Sequence, residues 1–215
     1  FGSGRTETAE MLFGVTAPTH GSLYVNGKKQ RFRDPIDAIN HKMAFCPEDR
    51  KRDGIIGDLT IRENIILVLQ AKQGFLRPIP PKTQQEIADR YIRMLNIATP
   101  DAEKKVGELS GGNQQKVILA RWMATQPDIL IMDEPTRGID VGAKAEIQRI
   151  MLDMCDKGVS VVFISSELDE ILRCSNRILV MRDRSKAGEI EAADCTQADI
   201  LAIIAGETAK ETETV

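Results

Sequence analysis

The sequence predicts an α/β fold that carries a helical insertion and a small antiparallel part. Three observations point there. Apolar runs of strand length alternate with amphipathic stretches in the outer parts of the chain. The middle, about 60–126, is nearly all helical in pattern. A fully apolar run, Ile129–Met132, ends in Asp133 and Glu134, which puts acid at the carboxyl edge of a sheet, where α/β folds bind ligands.

Glu7–Phe13 reads as a helix ended by Gly14, directly after a Gly2-Ser3-Gly4 loop. His20–Phe32 alternates around Asn26-Gly27, a dipeptide that tolerates positive φ and so marks a hairpin. Lys42–Cys46 is a short strand, followed by the polar run Pro47–Gly54. Thr60–Lys72 puts Ile61, Ile65, Val68 and Leu69 on one helical face. The stretch from Gly74 to Pro81, with its prolines, is a connector. A second helix starts at Lys82, with Thr83 and Glu86 at capping-box spacing, and a third follows Ser110. Lys144–Met154 is an amphipathic helix, and Val159–Ile164 and Arg177–Met181 are strands. Thr196–Ala205 is a last helix closed by Gly206, and Glu207–Val215 reads as a polar, disordered tail. The 215 residues suit one domain over 1–206.

Composition excludes several classes. A net charge of −3 argues against a dedicated nucleic-acid binder, and no apolar run approaches the ~18 residues of a membrane span. Cys46, Cys155, Cys174 and Cys195 are too scattered for a metal site. With no secretory signal in view they read as reduced, buried thiols.

Three motifs carry chemistry. Gly2-Ser3-Gly4-Arg5-Thr6 before a helix offers bare N–H groups and the positive end of a dipole to a phosphate, with Arg5 as cation and Thr6 as a Mg²⁺-binding hydroxyl; alone, it is a weak signal and reads more readily as a turn. Asp133 and Glu134 suit a cation and an attacking water, or a solvated acidic turn. Leu109-Ser110-Gly111-Gly112-Asn113-Gln114-Gln115-Lys116 is a second anion-binding arrangement, beginning just upstream of the carboxylates. Helix capping by Ser110 is the plainer reading, but it leaves two glycines in a first helical turn unexplained.

In this order the motifs resemble those of the ATP-binding cassette (ABC) ATPases, P-loop NTPases whose helical insertion carries an LSGG signature. The runs Cys46–Lys51, Leu109–Lys116 and Asp133–Ala143 look like the C-terminal cassette of the double-cassette ATPases of bacterial monosaccharide importers. Arg62–Ile66, Leu76–Ile79 and Met181–Arg184 most resemble the branch that imports galactofuranose. The resemblance implies an ATPase using ATP and Mg²⁺, peripheral on the cytoplasmic face of the bacterial inner membrane. Its implied partners are permease subunits and, indirectly, a periplasmic sugar-binding protein, with no nucleic acid. It implies Glu134 as catalytic, and Gly2, Ser3, Gly4, Arg5, Thr6, Glu48 and Ser166 as nucleotide-binding. Thr6 and Asp133 would hold Mg²⁺. Ser110, Gly111, Gly112, Asn113 and Gln114 would close on ATP held by a partner cassette, with Asp140 in the D-loop. That partner is implied to be the N-terminal cassette of the same polypeptide, and opening on a glycine loop reads as a chain cut inside its P-loop, without the first strand.

Set against that family, Arg5 replaces a lysine, Glu48 a glutamine and Ser166 the switch histidine. A guanidinium is larger than an ammonium, an anion at Glu48 needs Mg²⁺ or a neighbour such as Arg50 to compensate it, and a hydroxyl has a short reach and no useful basic pKa. One misplaced electrostatic group costs about 10²–10³ in rate, so a slow site of its own and a working signature for the partner are expected. Arg50, Lys51 and Arg52 form either a docking loop for a membrane subunit or a solvated charged loop. The alternative function is an ABC ATPase acting in DNA repair or at the ribosome.

Overall fold

The computed structural model describes residues 2–74, 76–193 and 195–206. Phe1 and the tail expected over 207–215 lie outside the described residues.

A parallel three-stranded sheet forms the centre, in the order β3 (Met43–Cys46), β4 (Ile129–Asp133), β5 (Ser160–Ile164). β4 lies between two partners and is almost wholly buried, which is why it reads as an unbroken apolar run rather than an alternation. The register pairs Cys46 with Met132 and Asp133 with Ile164, so all three strands end at one level. The loops that leave that edge begin at Pro47, Glu134 and Ser165.

Helix α1 (Arg5–Phe13) starts from left-handed Gly4 and stops at left-handed Gly14, whose N–H reaches back to the carbonyls of Glu10 and Met11. Its last residue, Phe13, stacks on Phe45 of β3 at 5.4 Å and meets Trp122 edge-on at 5.5 Å, locking helix to sheet. The Asn26-Gly27 hairpin forms with both residues at positive φ, but its strands β1 (Leu23–Val25) and β2 (Lys28–Gln30) are shorter than the alternating run. A helix not expected, α2 (Pro35–Asn40), is capped by Asp34 with Pro35 at its first turn; six residues are too few to display a period. The polar run after β3 also turns helical, as a π-turn over Arg50–Gly54 whose first amides donate to Asp49.

The middle is helical as expected: α3 (Ile61–Gln73), α4 (Pro81–Met94) and α5 (Gly111–Met123). The capping boxes fall elsewhere, however. Thr83 caps nothing, because Pro80 and Pro81 with their fixed φ start α4 two residues earlier; the reciprocal boxes are Thr60–Glu63 on α3 and Thr196–Asp199 on α8 (Gln197–Ala205). Helix α6 (Val141–Asp156) packs beside α5.

A second small core forms where α8 covers the antiparallel pair β6 (Arg177–Arg182) and β7 (Ser185–Glu191), through Ile178, Val180, Ile200 and Ile203. β7 and the short helix α7 (Leu168–Cys174) carry weak signals, one polar and exposed, the other two turns long. Of the four cysteines only Cys46 is buried, where burial pushes its thiol up to about 12; Cys155 is exposed and the others are intermediate, correcting the expectation of four core thiols.

The helical middle is tied to the sheet by a buried polar network. Arg121 of α5, 6% exposed, donates to the carbonyls of Asn64 (2.7 Å) and Gly54 (2.6 Å) and to the Asn64 Oδ1 (2.7 Å). Asn64, fully buried on α3, spends its amide on the carbonyls of Ile56 and Thr60 and accepts the Ile56 N–H. Truncating Arg121 strands these acceptors without water, so Arg121→Ala is expected to cost about 2–4 kcal/mol in urea unfolding, against about 0.5 kcal/mol or less for exposed Arg93→Ala. Equal losses for the two would contradict the network's role.

Candidate functional site

The three loops at the sheet's carboxyl edge and the glycine loop before α1 enclose one cleft of about 210 Å³. It is lined by residues 2–7 with Glu48, Asp133, Glu134, Arg137 and Ser166. Pockets for whole drug-sized ligands run to about 300–1,000 Å³, so this cleft suits a string of phosphates rather than an entire nucleotide.

Gly2 and Gly4 sit at φ +82° and +89°, a turn that bulkier side chains resist, and α1 begins immediately behind. Gly4 is also required by packing: a Cβ there would lie 2.9 Å from the Cα of Arg184. The turn between β6 and β7 thus braces the loop, with the Arg184 N–H donating to the Ser3 carbonyl at 3.1 Å.

Arg5 reaches across the cleft instead of standing free. Its Nε donates to the Ser3 Oγ (3.0 Å), its Nη1 to the Ser165 carbonyl (2.9 Å), and its Nη2 lies 3.7 Å from Glu134. Glu134 itself holds a left-handed backbone, φ +45°, which is uncommon for a non-glycine and turns the chain sharply as it leaves β4. The Ser166 hydroxyl donates to the other Glu134 oxygen at 3.2 Å. Thr6 donates to Glu48 (3.3 Å), whose second oxygen pairs with Arg137. The compensator of Glu48 is therefore Arg137, not Arg50, and sequence spacing offered no signal for a pair 89 residues apart.

Asp133 at the end of β4 is fully buried, and neither carboxylate oxygen has a hydrogen-bond partner among the described residues. Burial raises its pKa to about 6; the nearby Thr6 hydroxyl opposes that shift, and the negative charges of Glu48 and Glu134 add to it. Two unsatisfied acceptors beside a threonine hydroxyl fit a hard, oxygen-seeking divalent cation that keeps several of its waters.

The LSGG segment lies outside this cleft. Ser110 precedes α5, yet its hydroxyl does not cap the helix; it accepts from Asn113 Nδ2 at 2.9 Å, while the Asn113 side-chain Oδ1 takes the Ala98 N–H. Both glycines have packing reasons. A Cβ on Gly112 would sit 2.5 Å from the Cβ of Ala143 on α6, and one on Gly111 would sit 2.9 Å from the Arg50 guanidinium. Gln114 is turned inward, only 4% exposed, its amide donating to the Leu109 carbonyl and its oxygen accepting from Arg50. Of the five residues expected to close on a partner's ligand, Gln114 is thus a brace for the loop. Arg50 is also committed to this seam, donating to the Arg137 carbonyl at 3.4 Å, which removes it from the simple picture of a solvated charged loop. Asp140, expected in the D-loop, is exposed and caps α6 by accepting the Ala143 N–H.

Two outcomes follow. Asp133→Asn, which removes an unpartnered buried carboxylate, is expected to stabilise the ligand-free protein by about 1 kcal/mol and to abolish any thermal shift from added Mg²⁺ with nucleotide. An unchanged shift would mean that Asp133 holds no cation. Gly112→Ala is expected to wedge α5 from α6 at a cost of about 1–3 kcal/mol, with Ala143→Gly restoring most of it in the double variant. Additive losses in urea unfolding would rule out that contact as the cause.

A family model described as ABC transporter matches residues 1–137. The chain is 51% identical over 205 residues to the fructose import ATP-binding protein FruK of Bifidobacterium longum, covering 95% of this chain and 40% of that protein. It is 52% identical over 204 residues to the galactofuranose transporter ATP-binding protein YtfR of Escherichia coli K12, covering 95% and 41%. The chain thus spans about two fifths of the length of these relatives. Its fold matches that of the ATP-binding cassette MJ0796, solved as a dimer bound to ADP and Pi, with a TM-score of 0.74 over 88% of this chain and 81% of that one at 24% identity. With its glycine loop, acid-ended central strand and helical insertion arranged in this way, the chain belongs to the ABC transporter family of ATP-binding cassettes.

Proposed function

We propose that this chain is the C-terminal ATP-binding cassette of a monosaccharide importer, that its own P-loop site binds Mg²⁺–ATP and hydrolyses it slowly, and that its signature serves ATP held by an N-terminal cassette. The observation that carries the slow site is the position of Arg5, whose guanidinium is spent on Ser3, Ser165 and Glu134 rather than left as a compact cation facing the cleft. Glu134, which would polarise the attacking water, is neutralised in part by that contact and is met by the Ser166 hydroxyl, which has no basic nitrogen to offer. Gly2–Gly4 and the start of α1 would take the phosphates. Thr6 and Asp133 would hold Mg²⁺, which when bound offsets phosphate charge. The 52% identity to the galactofuranose transporter protein supports that sugar, and the 51% identity to the fructose import protein makes fructose the alternative to test.

Permease subunits and, through them, a sugar-binding protein are the partners, with the cassette peripheral on the cytoplasmic face of the inner membrane. Among the described residues no helix is long and apolar enough to cross a membrane. A role in DNA repair would call for long coiled-coil arms, whereas α3 and α4 have 13 and 14 residues.

In the complete polypeptide, single-turnover hydrolysis at the site containing this P-loop is expected about 10²–10³-fold below that of an ordinary cassette, and Arg5→Lys with Ser166→His is expected to raise it at least about tenfold. An ordinary rate in the unaltered chain would overturn the slow-site reading. Stimulation of the assembled importer's ATPase by galactofuranose, and not by fructose, tests the sugar.

A further inference from the structure

Glu170 on α7 is a buried carboxylate that the chemistry above does not use. It is 2% exposed, and its Oε2 accepts two hydroxyl protons, from Thr136 at 2.7 Å and from Ser165 at 2.9 Å. Its other oxygen faces the Lys144 ammonium of α6 at 3.8 Å. Thr136 and Ser165 are themselves buried, at 1% and 6%. They belong to the two loops that leave β4 and β5 and carry Glu134 and Ser166. Two residues before Thr136, Glu134 holds its left-handed turn; Ser165 gives its carbonyl to Arg5, and the next residue, Ser166, gives its hydroxyl to Glu134.

We propose that Glu170 is a positioning residue, a clamp beneath the cleft that fixes the spacing of the β4 and β5 loops and so aims Glu134, Ser166 and Arg5 at one another. A single acceptor oxygen shared by two hydroxyls sets the separation of the two loops as no apolar contact would, because each O–H must point at the same atom. Lys144, which pairs closely with Glu167, faces the Glu170 carboxylate at longer range and belongs to the helix that Asp140 caps, so the clamp also ties the cleft to α6.

The assignment rests on reading the cleft as a nucleotide site. The test uses the complete natural polypeptide with any second hydrolytic site disabled, and measures Mg²⁺–ATP affinity alongside single-turnover hydrolysis of radiolabelled ATP over hours, so that a slow site still gives a rate. Glu170→Ala is expected to slow hydrolysis about 10–100-fold at saturating ATP while the Kd stays within about twofold. Glu170→Gln combined with Lys144→Met keeps an acceptor oxygen for both hydroxyls and removes the ammonium facing the new amide; it is expected to stay within about threefold of the parent rate. Glu170→Ala at the parental rate overturns the assignment. A Glu170→Ala variant that loses affinity and rate together, unrescued by the paired variant, overturns it too, because Glu170 would then be merely structural. Should Glu170→Ala fail to fold, Thr136→Val and Ser165→Ala, each breaking one arm, are expected to slow hydrolysis separately, and parental rates in both overturn the clamp. A parent that binds no Mg²⁺–ATP overturns the nucleotide reading and this assignment with it; a parent that binds and hydrolyses while Glu170→Ala matches it overturns the assignment alone.

Discussion

A guanidinium buried without an acidic partner among the described residues is the constraint on which the rest of this cassette depends. Burial lowers the pKa of Arg121 to about 10, so the side chain stays charged at neutral pH and must find its compensation in carbonyl dipoles. Gly54 and Asn64 supply them, one from the end of the loop after β3 and the other from the first turn of α3. Asn64 in turn fixes the segment between them through Ile56 and Thr60. The loop, α3 and α5 are therefore joined by one continuous hydrogen-bond network. Since α5 starts at the glycines of the signature and runs into the aromatic core at Trp122, the orientation of that signature is set from within the sheet, not by the loop that displays it.

Above the sheet the balance is reversed, with acids gathered and only partly answered. Glu48, Asp133 and Glu134 share one small cleft with two arginines. Arg137 answers Glu48 and Arg5 answers Glu134, which leaves Asp133 with only the Thr6 hydroxyl nearby and no hydrogen-bond partner on either oxygen among the described residues. A protein shaped by stability alone would not keep a buried carboxylate in that state, and such local cost is characteristic of functional sites.

How much of this could be read in advance follows from range along the chain. Asn26-Gly27, the apolar run of β4, and the helix-ending glycines at 14 and 206 act on near neighbours, and each specified its local structure. The first-turn glycines of α5 were visible as exceptions, but the reason for Gly112 is Ala143 on another helix. The partners of Arg121, Thr136 and Glu48 lie 57, 34 and 89 residues away along the chain, and nothing in local pattern announces them. β7 and α7 were missed for a different reason: one shows solvent a polar face and the other is too short for a period to emerge. Thr83 shows the converse error, a correct local motif overruled by two prolines that set the helix start first.

The brace that Arg184 gives the glycine loop bears on synthesis of the chain. Ser3 and Arg184 are separated by roughly 180 residues. At about 5–20 residues per second, the ribosome delivers the second roughly 10–35 s after the first. Until β6 and β7 emerge, the loop lacks its packing partner. The glycine loop therefore reaches its final packing only after the central strands β3 to β5 have all been synthesised.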